Sequence, residues 1–239
     1  MALYTIADLH LSLGTSKPMD IFGARWTSHA EKLKTRWSSL VTENDTVVIP
    51  GDISWAMTLE EAREDFRFID SLPGKKIIGK GNHDYWWTTA AKMKRFLESI
   101  NVTTVDFLFN NAFLTTEAVI CGSRGWYIEE KLQDTPSPTD YEKIVSRECQ
   151  RLEASIKSGE ELRGESDIPL IAFLHFPAVF GDFICEPIID TLVKHGVKKC
   201  YYGHIHGKYL VPHTIEYRGV ELSIISADYL DFTPQRIFI

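Results

Sequence analysis

The chain has 239 residues, 44% hydrophobic and 25% charged, which is the make-up of a folded globular protein and excludes a disordered or collagen-like one. No apolar run approaches the roughly 20 residues that a bilayer span demands, and the start Met1-Ala2-Leu3-Tyr4 has neither the basic region nor the cleavage site of a secretory signal. Lys plus Arg is 26 and Asp plus Glu is 33, a net charge of −7, so the chain lacks the positive field that binds phosphate backbones, and neither nucleic acid nor membrane is the expected partner.

Residues 2–7 predict a short apolar strand that ends where Asp8 and His10 follow. A helix is expected over 27–41, with Leu33, Trp37 and Leu40 at helical spacing. Residues 46–50 read as a buried strand running into Gly51-Asp52. A second helix is expected over 59–70, with Thr58 as N-cap and Glu61 completing a capping box. Residues 76–79 form a third strand delivering Gly81-Asn82-His83-Asp84. This alternation of strand and helix predicts parallel β-α-β units. The basic pairs and triplets at Lys75-Lys76, Lys92-Lys94-Arg95 and Lys194-Lys198-Lys199 read as solvated ends of helices or strands.

The second half is richer in strands. Residues 112–116 and 118–122 predict a pair across a short turn, and 169–174, 199–202, 214–217, 221–225 and 236–239 predict further strands, with a helix over 187–195. Residues 126–167 form a polar stretch with Thr135-Pro136-Ser137-Pro138 and an expected helix over 139–157. It reads as an insertion within a single domain spanning 1–239, either a mobile cover that helps choose substrate or a helix fixed over a sheet edge. Cys121, Cys149, Cys185 and Cys200 are scattered without a CxxC pair, which suits reduced thiols in a cytoplasm.

Five expected strand ends present Asp, Asn or His: Asp8-Leu9-His10, Gly51-Asp52, Gly81-Asn82-His83-Asp84, Leu174-His175 and Gly203-His204-Ile205-His206. In parallel α/β units the carboxyl ends of strands gather functional groups. Carboxylate, amide oxygen and imidazole together suit Mn, Fe or Zn, and there are too many such groups for one tetrahedral zinc. Their number fits two ions roughly 3.5–4 Å apart, which clamp a phosphoryl group and hold a hydroxide between them as nucleophile.

In this order, the blocks resemble those of the calcineurin-like metallophosphoesterase superfamily, from Asp8 to His206, and the segment Leu174-His175-Phe176-Pro177 resembles the family's His-x-Pro segment. The resemblance implies a four-layer α/β/β/α sandwich of two mixed sheets, with a dinuclear site at one edge. It also implies that Asp8, His10 and His206 hold one divalent ion, that Asn82, His175 and His204 hold the other, and that Asp52 bridges them. His83 adjoins the ligand Asn82 but matches no ligand position, so it is the candidate general acid for the leaving oxygen. Asp84 is read either as the group that orients His83 or as a helix cap.

The blocks Gly51-Asp52-Ile53-Ser54-Trp55-Ala56 and Lys80-Gly81-Asn82-His83-Asp84 lack the arginines that grip phosphate in the protein Ser/Thr phosphatase branch. Arg124 is a possible replacement and otherwise an ordinary exposed arginine. His29, His195 and His213 read as surface or structural. Trp55, Tyr85, Trp86 and Trp87 flank ligand blocks, where they either stack on a base or pack in the core. The expected activity is a cytoplasmic metal-dependent phosphohydrolase acting on a small phosphorylated molecule, nucleotides included, by attack of a metal-bridging hydroxide on a monoester or diester. The alternatives are a nuclease, since Asp8-Leu9-His10-Leu11 resembles the start of double-strand-break repair nucleases, and a non-catalytic interaction protein on the same fold.

Overall fold

The computed structural model describes residues 1–127 and 138–238. In the first sheet β1 (Leu3–Thr5), β2 (Thr46–Pro50), β3 (Lys75–Gly79) and β4 (Val105–Phe107) run parallel. The second sheet draws on β5 (Phe113–Leu114), β6 (Val119–Ser123), β7 (Leu170–Leu174), β10 (Lys199–Tyr202), β11 (Thr214–Tyr217) and β12 (Val220–Ile224). Its order is β11-β12-β10-β7-β6-β5, the inner four parallel and the two edges antiparallel. A small hairpin joins β8 (Val179–Phe180) to β9 (Phe183–Ile184), and β13 (Gln235–Arg236) adds an antiparallel edge beside β1. The described helices are α1 (His29–Leu40), α2 (Arg63–Ser71), α3 (Ala90–Ser99), α4 (Pro138–Arg163) and α5 (Glu186–Lys194). None is long and apolar enough to cross a membrane.

The layering follows from strand alternation. Successive side chains point to opposite faces, so Val47 and Ile49 pack under α1–α3 while Val48 faces the other sheet. Likewise Ala172 and Leu174 pack under α4 and α5, while Ile171 and Phe173 meet Val48 and Ile77 between the sheets. Three apolar layers therefore separate helices, sheet, sheet and helices, the expected four-layer α/β/β/α sandwich. Central strands buried on both faces carry continuous apolar runs, as in parallel sheets generally.

The two sheets also touch at one end. Beyond β1, Ala7 donates its N–H to Ile225 O at 2.8 Å and accepts from Ala227 N at 2.9 Å. This contact draws the chain after β1 against the chain after β12, and it brings the strand ends of the two sheets to one edge.

Several expectations need correction. Lys76 is not a solvated end: it is fully buried, and its Nζ donates to the carbonyls of Asp70, in the last turn of α2, and of Leu72 and Gly74 beyond it. Burial pushes its pKa down to about 8. Leu40 of α1 is exposed, because its helix buries Leu33 and Trp37 on the other side. Thr58 Oγ1 does accept from Glu61 N at 3.2 Å. That turn stands apart from the helix, which begins at Arg63, and Glu61 bonds Met57 N instead of Thr58 N.

The stretch 126–167 is not a loose cover where it is described. Val145, Leu152 and Ile156 of α4 are buried against β6, β7 and α5, so this helix is one wall of the second core. Residues 135–137 of the Pro-rich start lie outside the described residues. Helix α3, which follows the Asn82-His83-Asp84 block, is capped by Thr89 and buries Met93 and Leu97.

Candidate metal centre

The candidate ligands leave their strands in a tight left-handed backbone. Asp8 (φ 59°), His10 (45°), Asp52 (52°) and His204 (69°) all adopt positive φ, a costly region for residues other than glycine. Glycine precedes two of them for a steric reason. A Cβ on Gly51, itself at φ 104°, would stand 2.6 Å from Gly81 N and 2.7 Å from His175 Nδ1. One on Gly203 would stand 2.5 Å from Asp8 Oδ2. The Gly-Asp and Gly-His pairs therefore let separate strand ends approach to ligand distance.

These turns gather Asp8, His10, Asp52 and His175 with at most 3% exposure, beside half-buried Asn82, His83, His204 and His206. Each buried carboxylate is held by one oxygen. Asp8 Oδ2 accepts from His204 N at 2.8 Å and Asp52 Oδ1 from His83 N at 2.8 Å. Asp8 Oδ1, Asp52 Oδ2, His10 Nδ1 and His175 Nδ1 are buried without a hydrogen-bond partner. Leaving so many polar atoms unsatisfied is costly unless something binds them.

The spacings fit a divalent ion. Donors about 2.0–2.2 Å from a tetrahedral centre stand roughly 3.3–3.6 Å from one another. His175 Nδ1 is 3.6 Å from Asp8 Oδ1, His175 Nε2 is 3.6 Å from Asp52 Oδ1, and His10 Nε2 is 3.6 Å from Asp52 Oδ2. Two groups of potential ligands result, Asp8-His10-His206 and Asp8-Asp52-His175. Asp52 turns one oxygen to each of His175 and His10, and Asp8 belongs to both groups, so both carboxylates lie between the two histidine sets. Asn82 Oδ1 stands 2.7 Å from His175 Nε2. The His204 ring lies 5.3 Å from that of His175 and belongs to neither group among the described residues.

Electrostatics in the bare chain keeps His10 and His175 neutral. Burial, then the neighbouring His206, His83 and His175, holds His10 well below the usual histidine range. His175 is lowered likewise, by burial first and then chiefly by His204 and His206. Burial, reinforced by Asp84 and Asp8, drives the Asp52 carboxyl well up. Asp8 is also raised by burial, against the pull of His206. Neutral imidazole is the form that binds metal, and a cation at this place would favour the ionised carboxylates.

Asp84 takes neither role expected of it. Its buried carboxylate accepts from Gly81 N (2.7 Å), Asp52 N (2.9 Å) and Ile53 N (2.8 Å), with Ser54 N at 3.3 Å. It ties the loop after β2 to the loop after β3 and has no bond to the His83 ring, while Thr89 caps α3. Burial, only partly offset by these N–H groups, pushes its pKa up to about 6. The His83 ring instead lies 4.3 Å from Trp55, with Nδ1 3.3 Å from Tyr85 Oη. Burial, then His204, His206 and Lys17, lowers its pKa to about 4.

Asp228 is a site residue that the sequence reading missed. Fully buried, it accepts from His206 Nδ1 at 2.8 Å, Gly207 N at 3.0 Å and Tyr209 Oη at 3.1 Å. A proton on Nδ1 leaves the His206 Nε2 lone pair facing His10 and Asp8, the arrangement by which a carboxylate prepares a metal-binding histidine. Burial works to raise the Asp228 pKa, but the bonds from His206, Gly207 and Tyr209 prevail and hold it low. The signal was present in Ser226-Ala227-Asp228, an acid after a sixth strand end.

A cleft of about 420 Å³ opens beside these groups, walled by Met19, Phe22, Trp26, Trp55 and Tyr209 and reaching His83 and Asp52. Of the four aromatics flanking the ligand blocks, Trp55 stacks on His10 at 5.0 Å and walls the cleft, and Tyr85 is exposed. Trp86 and Trp87 belong to the core around Phe66 and Phe107. Arg124 is not an ordinary exposed arginine: its side chain is 25% exposed and 4.0 Å from Glu148. His195 pairs with Glu160, and His213 with Thr214 and Gln235. His29 packs edge-on against Trp26 behind the cleft.

Among curated proteins, none matches the chain. Solved structures share its fold at low identity. A phosphopantetheinyl hydrolase from Mycobacterium tuberculosis aligns over 99% of this chain and 95% of its own, with a TM-score of 0.55 and 16% identity. A protein from Thermus thermophilus aligns over 99% of both chains, with a TM-score of 0.57 and 12% identity. A protein of unknown function from Aquifex aeolicus aligns over 98% of this chain and 95% of its own, with a TM-score of 0.50 and 15% identity. The family model for calcineurin-like phosphoesterases, whose general chemistry is metal-dependent phosphoester hydrolysis, matches residues 1–208, and the chain belongs to that family.

Proposed function

We propose that the protein hydrolyses a phosphomonoester or phosphodiester of a small organic alcohol, using two divalent ions drawn from Mn, Fe or Zn. The observation that carries this reading is the set of buried, unpartnered oxygens of Asp8 and Asp52 lying between His175 on one side and His10 and His206 on the other. Asp8, His10 and His206 would hold one ion, Asn82, His175 and His204 the other, with Asp52 shared. Such ions supply Lewis acidity toward the phosphoryl group and lower the pKa of coordinated water to near neutrality.

The chain's own residues do the rest. Asp84 fixes the two loops that carry Asp52 and Asn82, and Asp228 fixes the tautomer of His206. His83, at the cleft wall, is placed to donate a proton to the leaving oxygen. The bare chain holds it neutral at pH 7, so the acid form depends on the negative phosphoryl group raising its pKa. The apolar walls of Trp26, Trp55 and Phe22 suit the organic part of a small substrate and not a nucleic-acid backbone.

The test is hydrolysis of 4-nitrophenyl phosphate and bis(4-nitrophenyl) phosphate by chelator-stripped protein reloaded with Mn, Fe or Zn. Metal-dependent turnover is expected, and its absence with every metal would leave the chain a binding protein on a phosphoesterase fold.

A further inference from the structure

A second cavity of about 250 Å³ lies where the chain after β4 and the end of β6 meet α4. Lys80, Arg124, Arg147 and Arg151 line it, against a single carboxylate, Glu148. Glu148 is buried and bonds Arg151 at 2.6 Å, so it neutralises about one of the four cations. Arg124 Nε is buried with no acceptor. Neither Lys80 nor Arg147 has a carboxylate within 4.0 Å among the described residues, since the ion pairs of this region are those of Arg124 and Arg151 with Glu148. Four cations gathered in one cavity against a single carboxylate are a phosphate-binding arrangement.

The cavity is tied to the candidate centre through the backbone. Arg124 O accepts from His175 N at 3.2 Å and Phe176 N at 2.8 Å, and Lys80 immediately precedes Gly81-Asn82. We propose that this cavity binds a second phosphoryl group of the substrate, so that the preferred ester carries a further phosphate beyond the one cleaved. The proposal rests on the phosphoesterase reading for the word substrate, while the anion site itself is measurable without turnover.

Calorimetric titration of the metal-loaded protein with alkane-α,ω-bisphosphonates of increasing chain length, and with the matching alkylphosphonates, tests it, because phosphonates are not cleaved. One additional charge-assisted contact contributes about a factor of ten or more in affinity. At one or more chain lengths the bisphosphonate is expected to bind at least about tenfold more tightly than its monophosphonate. Arg147 is exposed and makes no ion pair among the described residues, so Arg147→Glu is expected to fold with an unchanged melting temperature and to lose that preference, while Arg147→Lys keeps most of it. Equal affinity for both ligands at every length, or a preference that survives Arg147→Glu, would overturn the anion site. Tight bisphosphonate binding in a protein that turns over no ester would instead leave the site standing and overturn the hydrolase reading.

Discussion

Replacing Asp228 by Asn keeps the size and shape of a buried side chain while removing its charge and one of its two acceptors. The carboxylate receives three donors, His206 Nδ1 on one oxygen and Gly207 N and Tyr209 Oη on the other. An amide cannot satisfy both sets. If its oxygen serves Gly207 and Tyr209, its NH₂ meets His206 Nδ1 and forces the proton to Nε2, where the lone pair is needed. If its oxygen serves His206, the NH₂ confronts the Gly207 N–H. Either way one hydrogen bond to a charged group is lost, about 1.5–3 kcal/mol. At about 1.4 kcal/mol per decade, that agrees with the roughly 10–100-fold loss of metal affinity typical when a carboxylate behind a ligand histidine is removed. Competition against a chromophoric chelator reads the two affinities, and nitrogen chemical shifts of His206 read the tautomer. The weaker affinity is expected at one ion, with the other nearly unchanged. Tyr209→Phe deletes one contact without changing the tautomer and should stay within about threefold of the parent. Asp228→Asn with unaltered affinity at both ions would show that Asp228 does not prepare His206.

Asp52→Ala should lower the occupancy of both ions and His10→Ala mainly one, as read by elemental analysis; two full equivalents in Asp52→Ala would rule out a shared ligand. Because burial lowers the pKa of His10 and His175 and raises those of Asp8 and Asp52, metal affinity should fall with decreasing pH chiefly through protonation of the carboxylates. Both imidazoles should remain neutral in the metal-free protein below pH 6.5, and NMR titration showing either one charged at that pH would contradict this. Leu152→Ala in α4, fully buried, should cost about 2–5 kcal/mol in denaturant unfolding, and removing 135–164 should unfold the second layer instead of retuning substrate choice. His83→Asn should reduce turnover of alkyl esters by roughly 10²–10⁴-fold and of nitrophenyl esters much less, since nitrophenolate leaves without a proton. Equal losses on the two esters would assign His83 a positioning role.

The sequence by itself determined most of the strands and most of what stands at their ends, though it did not announce β4 or the β8-β9 hairpin. Apolar runs such as 46–50 and 199–202 are local signals, and the residue after each run is fixed by chain position alone. Asp8, His10, Asp52, Asn82, His175, His204 and His206 were legible for that reason, and their order carried the resemblance to a family. What the tertiary structure decided depends on contacts between residues far apart in the chain. Asp84 serves loops about 30 residues away, because only the closed β2-β3 edge brings the N–H groups of Asp52 and Ile53 to it. Lys76 lies in a sequence that reads as a charged strand end, yet the turn after α2 folds its carbonyls over the ammonium and makes burial tolerable. The period of α4 announced a helix, but periodicity does not say against what a helix packs, and the layer formed by β6, β7 and α5 decided that. Asp228 reaches His206 only where the chain after β12 meets Ala7 across the two sheets, a closure set by the packing of the two sheets and written in no single segment.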